Sequence, residues 1–121
     1  MIPPIVEIAK QNPELVALIG SNPFRFYAFG DAGDNKVYPY VTYQNIGGDP
    51  ENFLGDRPDA DSFVLQINCL AKTEAEANQV ADAVSYALEL DGHVIGWGGT
   101  DRDPVTRNYR CVFTFEFINR R

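Results

Sequence analysis

Two stretches of alternating apolar and polar residues, one in the middle of the chain and one near its end, place the strongest constraint on the fold. Alternate positions from Phe63 to Ala71 are apolar, and so are alternate positions from Tyr109 to Phe117, where most of them are aromatic. A period of two residues is typical of a β-strand with one buried face. Both segments are therefore predicted to be strands of a sheet that covers a core on one side.

The segment between these two strands predicts a helix. Thr73 and Glu76 have the spacing of a capping box, in which the threonine side chain accepts hydrogen bonds at the start of a helix. Gly92 is predicted to end the helix. The apolar positions that follow the 3.6-residue period are Ala77, Val80, Ala81, Val84 and Leu88.

Two short helices are predicted at the start of the chain. Pro3 or Pro4 opens the first helix, because proline is well tolerated in the first helical turn. Asn12 is expected to cap a second helix over Pro13–Ile19, and Gly20 is expected to end it.

The remaining strands are predicted from shorter signals. Segments 24–29 and 38–45 are rich in aromatic and β-branched residues, and the turn-forming cluster 31–35 between them favours a hairpin. Val94, Ile95 and Trp97 predict a short strand broken by Gly96 and the glycine pair at 98–99.

The predicted order is α-β-β-β-α-β-β in one domain spanning residues 1–121. Short connections favour antiparallel pairing of consecutive strands. The fold class is therefore expected to be α+β, with a mainly antiparallel sheet and helices packed on one of its faces.

Residues 46–61 lose the regular pattern, and a loop of this length in a compact domain is unusual unless it is functional or disordered. Phe53 and Leu54 in this loop could pack on the core of their own domain or insert into a neighbouring subunit. Trp97, which glycines flank, could likewise fill a core position or anchor an interface.

Charge is distributed unevenly along the chain. The net charge of -7 and the pI near 4.5 argue against sequence-independent binding to nucleic-acid phosphates. Residues 31–91 hold 12 acidic and 3 basic side chains, whereas residues 102–121 hold five arginines and two acidic side chains. This pattern could be ordinary solvated surface, or it could form complementary faces that meet in neighbouring copies of the protein.

No catalytic, metal or cofactor motif stands out. His93 is the only histidine and follows the predicted helix end, where a structural role is expected. Cys69 and Cys111 lack the spacing of a metal site and are expected to be reduced core thiols. No apolar run approaches the roughly 20 residues that cross a membrane.

Several local motifs follow one another in a specific order. They are the N-P-x-L-x-x-L-I-G segment at 12–20, the P-Y-V-x-Y-Q segment at 39–44, and a Q-I-x-x-x-A strand at 66–71 that leads into the T-x-x-E-A helix start at 73–77. This succession resembles the tail completion, or tail terminator, family of long-tailed bacteriophages and prophages over nearly the whole chain.

The resemblance implies a non-enzymatic structural protein of the virion, without a cofactor, that forms a hexameric ring at the head-proximal end of the tail after assembly in the host cytoplasm. Its partners would be other copies of itself, the tail tube protein and the head connector or neck protein. DNA would pass through the lumen without specific binding, and no membrane would be involved.

Alternatives are a head-side neck adaptor and, from a different class, a small ligand-binding or enzymatic domain. The expected interface residues are Phe53, Leu54, Arg57, Trp97, Arg102 and Arg107.

Overall fold

A five-stranded sheet and three helices make up the described parts of the chain. The computed structural model describes residues 5–21, 24–28, 37–47, 60–104 and 106–120. The strand order in the sheet is β1-β2-β3-β5-β4. The elements are α1 (Ile5–Lys10), α2 (Pro13–Ile19), β1 (Phe26–Ala28), β2 (Tyr40–Gly47), β3 (Ala60–Ala71), α3 (Glu74–Leu88), β4 (Gly92–Arg102) and β5 (Tyr109–Arg120).

The core lies between α3 and the two central strands, as the alternating pattern predicts. Strands β3 and β5 pair antiparallel over their full lengths, from Ala60 with Arg120 to Ala71 with Tyr109. Their inward residues and the apolar stripe of α3 are buried together, and each large apolar side chain contributes roughly 1.5–3 kcal/mol by leaving water. The prediction of an α+β fold with a mainly antiparallel sheet is confirmed.

The predicted helix starts are confirmed by capping hydrogen bonds. The Thr73 hydroxyl accepts a hydrogen bond from the Glu76 amide at 3.2 Å, and the Asn12 side chain accepts one from the Leu15 amide at 3.0 Å. Gly20 ends α2 with a positive φ of 89°, a conformation that favours glycine.

Gly92 does not end α3, contrary to the sequence-based prediction. Helix α3 ends at Leu88, Glu89 caps it in a helical conformation, and Gly92 is the first residue of β4. A Cβ atom at Gly92 would fall on the carbonyl oxygen of Glu116. Glycine is thus needed there because β4 approaches the β5 backbone closely, and this requirement arises only in the folded sheet.

The predicted hairpin between the first two strands is wrong, since β1 and β2 pair in parallel. Phe26 lies opposite Val41, and the Val41 amide donates to the Arg25 carbonyl at 2.9 Å. The 11 residues between Ala28 and Tyr40 give the chain enough length to return to the end at which β1 began, whereas hairpin turns need only about two to five residues. The turn cluster 31–35 lies outside the described residues.

Strand β4 is longer than its sequence suggests. It runs continuously from Gly92 to Arg102, and its register with β5 shifts between Val94 and Gly96 and again between Trp97 and Gly99. The glycines therefore lie at β-bulges, which absorb an extra residue without ending the strand. Of the predicted loop 46–61, the first two residues belong to β2 and the last two to β3, and residues 48–59 lie outside the described parts.

Candidate assembly surface

Strand β4 forms a long free edge of the sheet. It pairs with β5 on one side, and within the described residues no strand pairs with its other side. The opposite edge strand, β1, is only three residues long. An edge of 11 residues presents backbone donors and acceptors that a partner could use.

The two bulges limit how a partner could use this edge. They disturb the ladder on both sides of Trp97, and bulges are one device by which natural edges avoid pairing with another strand. Gly98 lies so close to β5 that a Cβ atom there would come 3.1 Å from the Val112 carbonyl oxygen. Contacts through side chains are therefore favoured over continued sheet pairing.

Trp97 is the largest apolar side chain on this edge. Its ring packs on the buried Phe113 ring with 4.9 Å between centroids, yet 54% of the residue remains exposed. Ile95, two residues before it, is exposed to a similar extent. A tryptophan held on one side by the core and open on the other is well suited to anchor an interface, since little side-chain entropy is lost on binding.

Arg102 and Arg107 lie at the turn between β4 and β5, and both are exposed. The Arg102 Nε atom donates to the Arg107 carbonyl at 3.3 Å, and its guanidinium carbon lies 5.5 Å from the centre of the Tyr109 ring. Arg107 adopts a positive φ of 64°, and its amide donates to the Asp103 carbonyl at 2.8 Å. The turn therefore places two cations at the end of the β4 edge.

An ion pair fixes the stem of this turn. Arg110 donates to both carboxylate oxygens of Asp101, at 3.2 and 2.8 Å. The hydrogen bond from Arg110 is the main cause of a lowered pKa of Asp101. Both side chains are exposed, so the pair contributes little to stability and serves mainly to orient the stem.

Of the expected interface residues, the structure brings Trp97 and Arg102 to the same face of β4. Trp97 lies opposite Phe113 and Arg102 opposite Tyr109, and these two β5 residues are an even number of positions apart. Arg107 lies in the adjoining turn. Phe53, Leu54 and Arg57 lie outside the described residues.

Helix α3 and the residues that follow it carry the opposite charge. No lysine or arginine occurs between Thr73 and Asp101, whereas five carboxylates lie between Glu74 and Asp91. All five, at Glu74, Glu76, Asp82, Glu89 and Asp91, are at least partly exposed. Together with the arginines at the turn, they place the two charge signs on different parts of the molecule.

A groove that the sequence did not predict lies between the α1–α2 junction and the end of α3. It has a volume of about 270 Å³, and its apolar lining includes Ile8, Pro13, Tyr86 and Leu90. Leu90 is 94% exposed and Tyr86 is 63% exposed. The sequence signal was a leucine beyond the helix end, at a position that the apolar stripe of α3 does not require.

The chain is similar to known proteins over nearly its whole length. A family model described as Tail completion protein gp17 matches residues 3–120. The chain belongs to this family. Membership of the tail completion family makes it a structural tail protein.

The fold is also that of a solved virion component. A chain in the structure titled "Virion of native gene transfer agent (GTA) particle" is 20% identical, with a TM-score of 0.64 over 97% of this chain and 92% of that chain. At this identity the likeness shows a shared fold. A search of curated proteins gave no significant match.

A second depression in this tail completion protein lies beside the β4–β5 turn, on the side of Tyr38 and Tyr40. It has a volume of about 320 Å³, and its charged lining includes the paired Asp101 and Arg110. Burial, together with the neighbouring Tyr38, raises the pKa of Tyr40 to about 12. The tyrosine thus stays protonated, and the mutually neutralising ion pair does not provide an activated base or nucleophile.

The histidine lies apart from the two cysteines, which face each other on β3 and β5. His93 is in β4 rather than at a helix end, because α3 ends earlier than predicted, and its Nε2 atom lies 3.4 Å from the Glu116 carboxylate. Cys69 and Cys111 are free and buried, as expected. Within the described residues, no cluster of three potential metal ligands occurs and no helix is long and apolar enough to span a membrane.

Among the residues that the structure describes, Asn68 is a buried polar residue on the sheet face opposite the helices. Its amide nitrogen donates to the Thr42 hydroxyl at 3.4 Å, whereas its Oδ1 atom is buried without a partner among the described residues. Buried amide oxygens nearly always accept a hydrogen bond.

Proposed function

We propose that this tail completion protein caps the tail tube as a ring of identical copies, ends tube polymerisation and provides the surface to which the head is joined. The observation that carries the proposal is Trp97, anchored on Phe113 and half exposed on a bulged strand edge, in a chain of this family. An exposed aromatic anchor on a rigid support is typical of protein interfaces. The role is structural rather than enzymatic.

A ring requires two different surfaces on each copy, because a head-to-tail contact repeats around the closed circle. The edge of β4 with its arginine turn offers one such surface, and the acidic outer side of α3 offers another of opposite charge. Complementary charges of this kind guide association and fix its register. We propose six copies in each ring, the number that the family resemblance implies.

The proposed partners beyond the ring are the tail tube protein on one side and the head connector or neck protein on the other. The net charge of -7 supports a lumen through which DNA passes without being held, since tight phosphate binding requires many cations. Phe53, Leu54 and Arg57 remain proposed contacts within the ring or with these partners.

The experiment uses tail tubes and DNA-filled heads from particles that lack this protein. Adding the purified chain to tubes is expected to produce capped ends in electron micrographs, to stop further addition of tube subunits, and to restore joining to heads. Trp97→Ala should bind tubes at least about tenfold more weakly, whereas Val37→Ala, an exposed apolar control at another site, should bind normally. Unchanged tube growth with the added protein, or binding to heads but not to tubes, would contradict the proposal and favour a head-side adaptor.

A further inference from the structure

The groove beside the end of α3 has the size and lining of a site for a protein side chain. Its volume of about 270 Å³ is below the roughly 300–1,000 Å³ of most small-molecule sites. Its charged lining residues are Glu89 and Asp91, and Tyr86 and Leu90 are among the most exposed apolar residues described. A suitable partner therefore carries a large apolar anchor accompanied by positive charge.

This chain itself carries such an anchor. Trp97 is exposed on the β4 edge, and Arg102 lies on the same face of that strand. Their β5 partners, Phe113 and Tyr109, are four residues apart, which places the anchor and the cation about 14 Å from each other along the strand.

On α3, the groove and the Glu76 carboxylate are separated by a similar distance. Glu76 lies 11 residues before Ala87, a residue that lines the groove. Eleven residues correspond to about three helical turns, so both lie on the same flank of α3, about 16 Å apart. The separation between groove and carboxylate thus agrees with the separation between Trp97 and Arg102 to within the reach of an arginine side chain.

We infer that the β4 edge of one copy docks along α3 of the next copy, with Trp97 in the groove and Arg102 against Glu76. This inference rests on the proposed ring, and it specifies which surfaces form the contact between copies. The two surfaces are different, so the contact is head-to-tail and can repeat around a closed ring. Charge complementarity selects a second copy as the occupant, because the α3 side is acidic and the β4–β5 turn and its stem hold three arginines against Asp101 and Asp103.

A charge-exchange experiment tests the polar half of the contact. Glu76→Arg and Arg102→Glu are each expected to weaken association between copies by about tenfold, and the double variant should recover to within about threefold of the original protein. Glu74→Arg is the matched control. It makes the same charge change in the first turn of α3, but two residues correspond to a rotation of about 200°, so Glu74 lies on the opposite flank.

A crosslinking experiment tests the apolar part of the contact, in which Trp97 of one copy occupies the groove of the next. A photoreactive phenylalanine derivative replaces Tyr86, which is exposed, and the control position is Val37. Copies labelled with ¹⁵N are mixed with unlabelled copies so that mass spectrometry distinguishes crosslinks between copies from those within one copy. Position 86 is expected to crosslink to residues 92–102 of another copy, and position 37 is not.

The experiment is run both on tube-bound protein and on the free protein over a range of concentrations. If the protein binds tubes but position 86 crosslinks elsewhere, the docking inference is wrong and the proposed function stands. If it does not bind tubes but the expected crosslink forms in the free protein, the inference stands and the proposed function is wrong. If neither sample gives the crosslink to residues 92–102, the inference is overturned.

Discussion

Cys69 and Cys111 lie directly opposite each other on β3 and β5, and both are buried free thiols beneath α3. Burial raises the pKa of both thiols, and for Cys69 the neighbouring Cys111 adds to the increase. Because only the thiolate reacts readily, both cysteines are held in an unreactive form. The reactivity of the two thiols is therefore a measure of whether the core beneath α3 is closed to solvent.

Thiol labelling is expected to be slow in the folded protein and rapid after unfolding. Protection arises from both low exposure and low thiolate content, so labelling should require at least local opening of the sheet. A maleimide reagent with mass spectrometry measures the number of labelled cysteines over time, with and without urea. Equal labelling rates in the two conditions would show that the core is accessible.

The free energy of unfolding is expected to fall above about pH 9. Below the ordinary thiol pKa of 9.0, both thiols are protonated in the folded and unfolded chain. Above it, only the unfolded chain loses these protons, which favours unfolding. Urea denaturation between about pH 7 and pH 10 measures the slope, and a Cys69→Ala, Cys111→Ala double variant that keeps the same slope would refute the assignment to these thiols.

Gly92→Ala is expected to destabilise the fold by about 1–3 kcal/mol, because the added methyl group overlaps the Glu116 backbone. Gly96→Ala is the matched control on the same strand, since a Cβ atom there meets nothing within 4 Å. The control should change stability by less than about 0.5 kcal/mol. Thermal or urea unfolding of both variants checks the difference, and equal losses would contradict the close approach at Gly92.

Thr73→Ala is expected to destabilise the protein by about 1 kcal/mol, because the amide of Glu76 loses its acceptor at the start of α3. Thr73→Asn should retain most of the stability, since asparagine is also a good capping residue. Urea denaturation measures both variants. If asparagine and alanine cost the same, the hydroxyl hydrogen bond is not what stabilises this end of the helix.

Association between copies is expected to weaken as salt rises. Raising NaCl from about 0.1 M to about 1 M shortens the screening length from about 10 Å to about 3 Å. The Arg102→Gln variant should show a flatter salt dependence, whereas Trp97→Ala should associate more weakly with the original dependence. Analytical ultracentrifugation over this salt range measures the association between copies, and identical slopes in all three proteins would exclude a role for Arg102.

The parts of the fold that could be predicted are the strands and the helix in which apolar residues recur regularly because they face the buried core. The alternation around Leu65 and Phe113 and the stripe through Val80 reflect one buried core, so the local pattern reports the tertiary environment directly. The direction of β1 could not be predicted in this way. Parallel and antiparallel pairing place Phe26 in the same core, and the path of the connecting chain decides between them.

The assembly surface could be predicted only in part. Trp97 and Arg102 were recognisable as candidates from residue type, whereas their common face depends on the bulge at Gly99, which shifts the register by one residue. The groove was not predictable because Pro13 and Leu90, which line it together, come from segments far apart in the sequence.

The bulged edge of β4 also has a consequence for how the proposed assembly of copies stops growing. A regular free strand can template another strand, and each added strand presents a new edge for the next. The two register shifts around Trp97 disfavour such templating, so in the proposed ring a neighbour is recognised by individual side chains at fixed positions. Such contacts fix the rotation between neighbouring copies. A rotation that closes a circle gives a ring with a fixed number of subunits, whereas strand pairing could continue without limit.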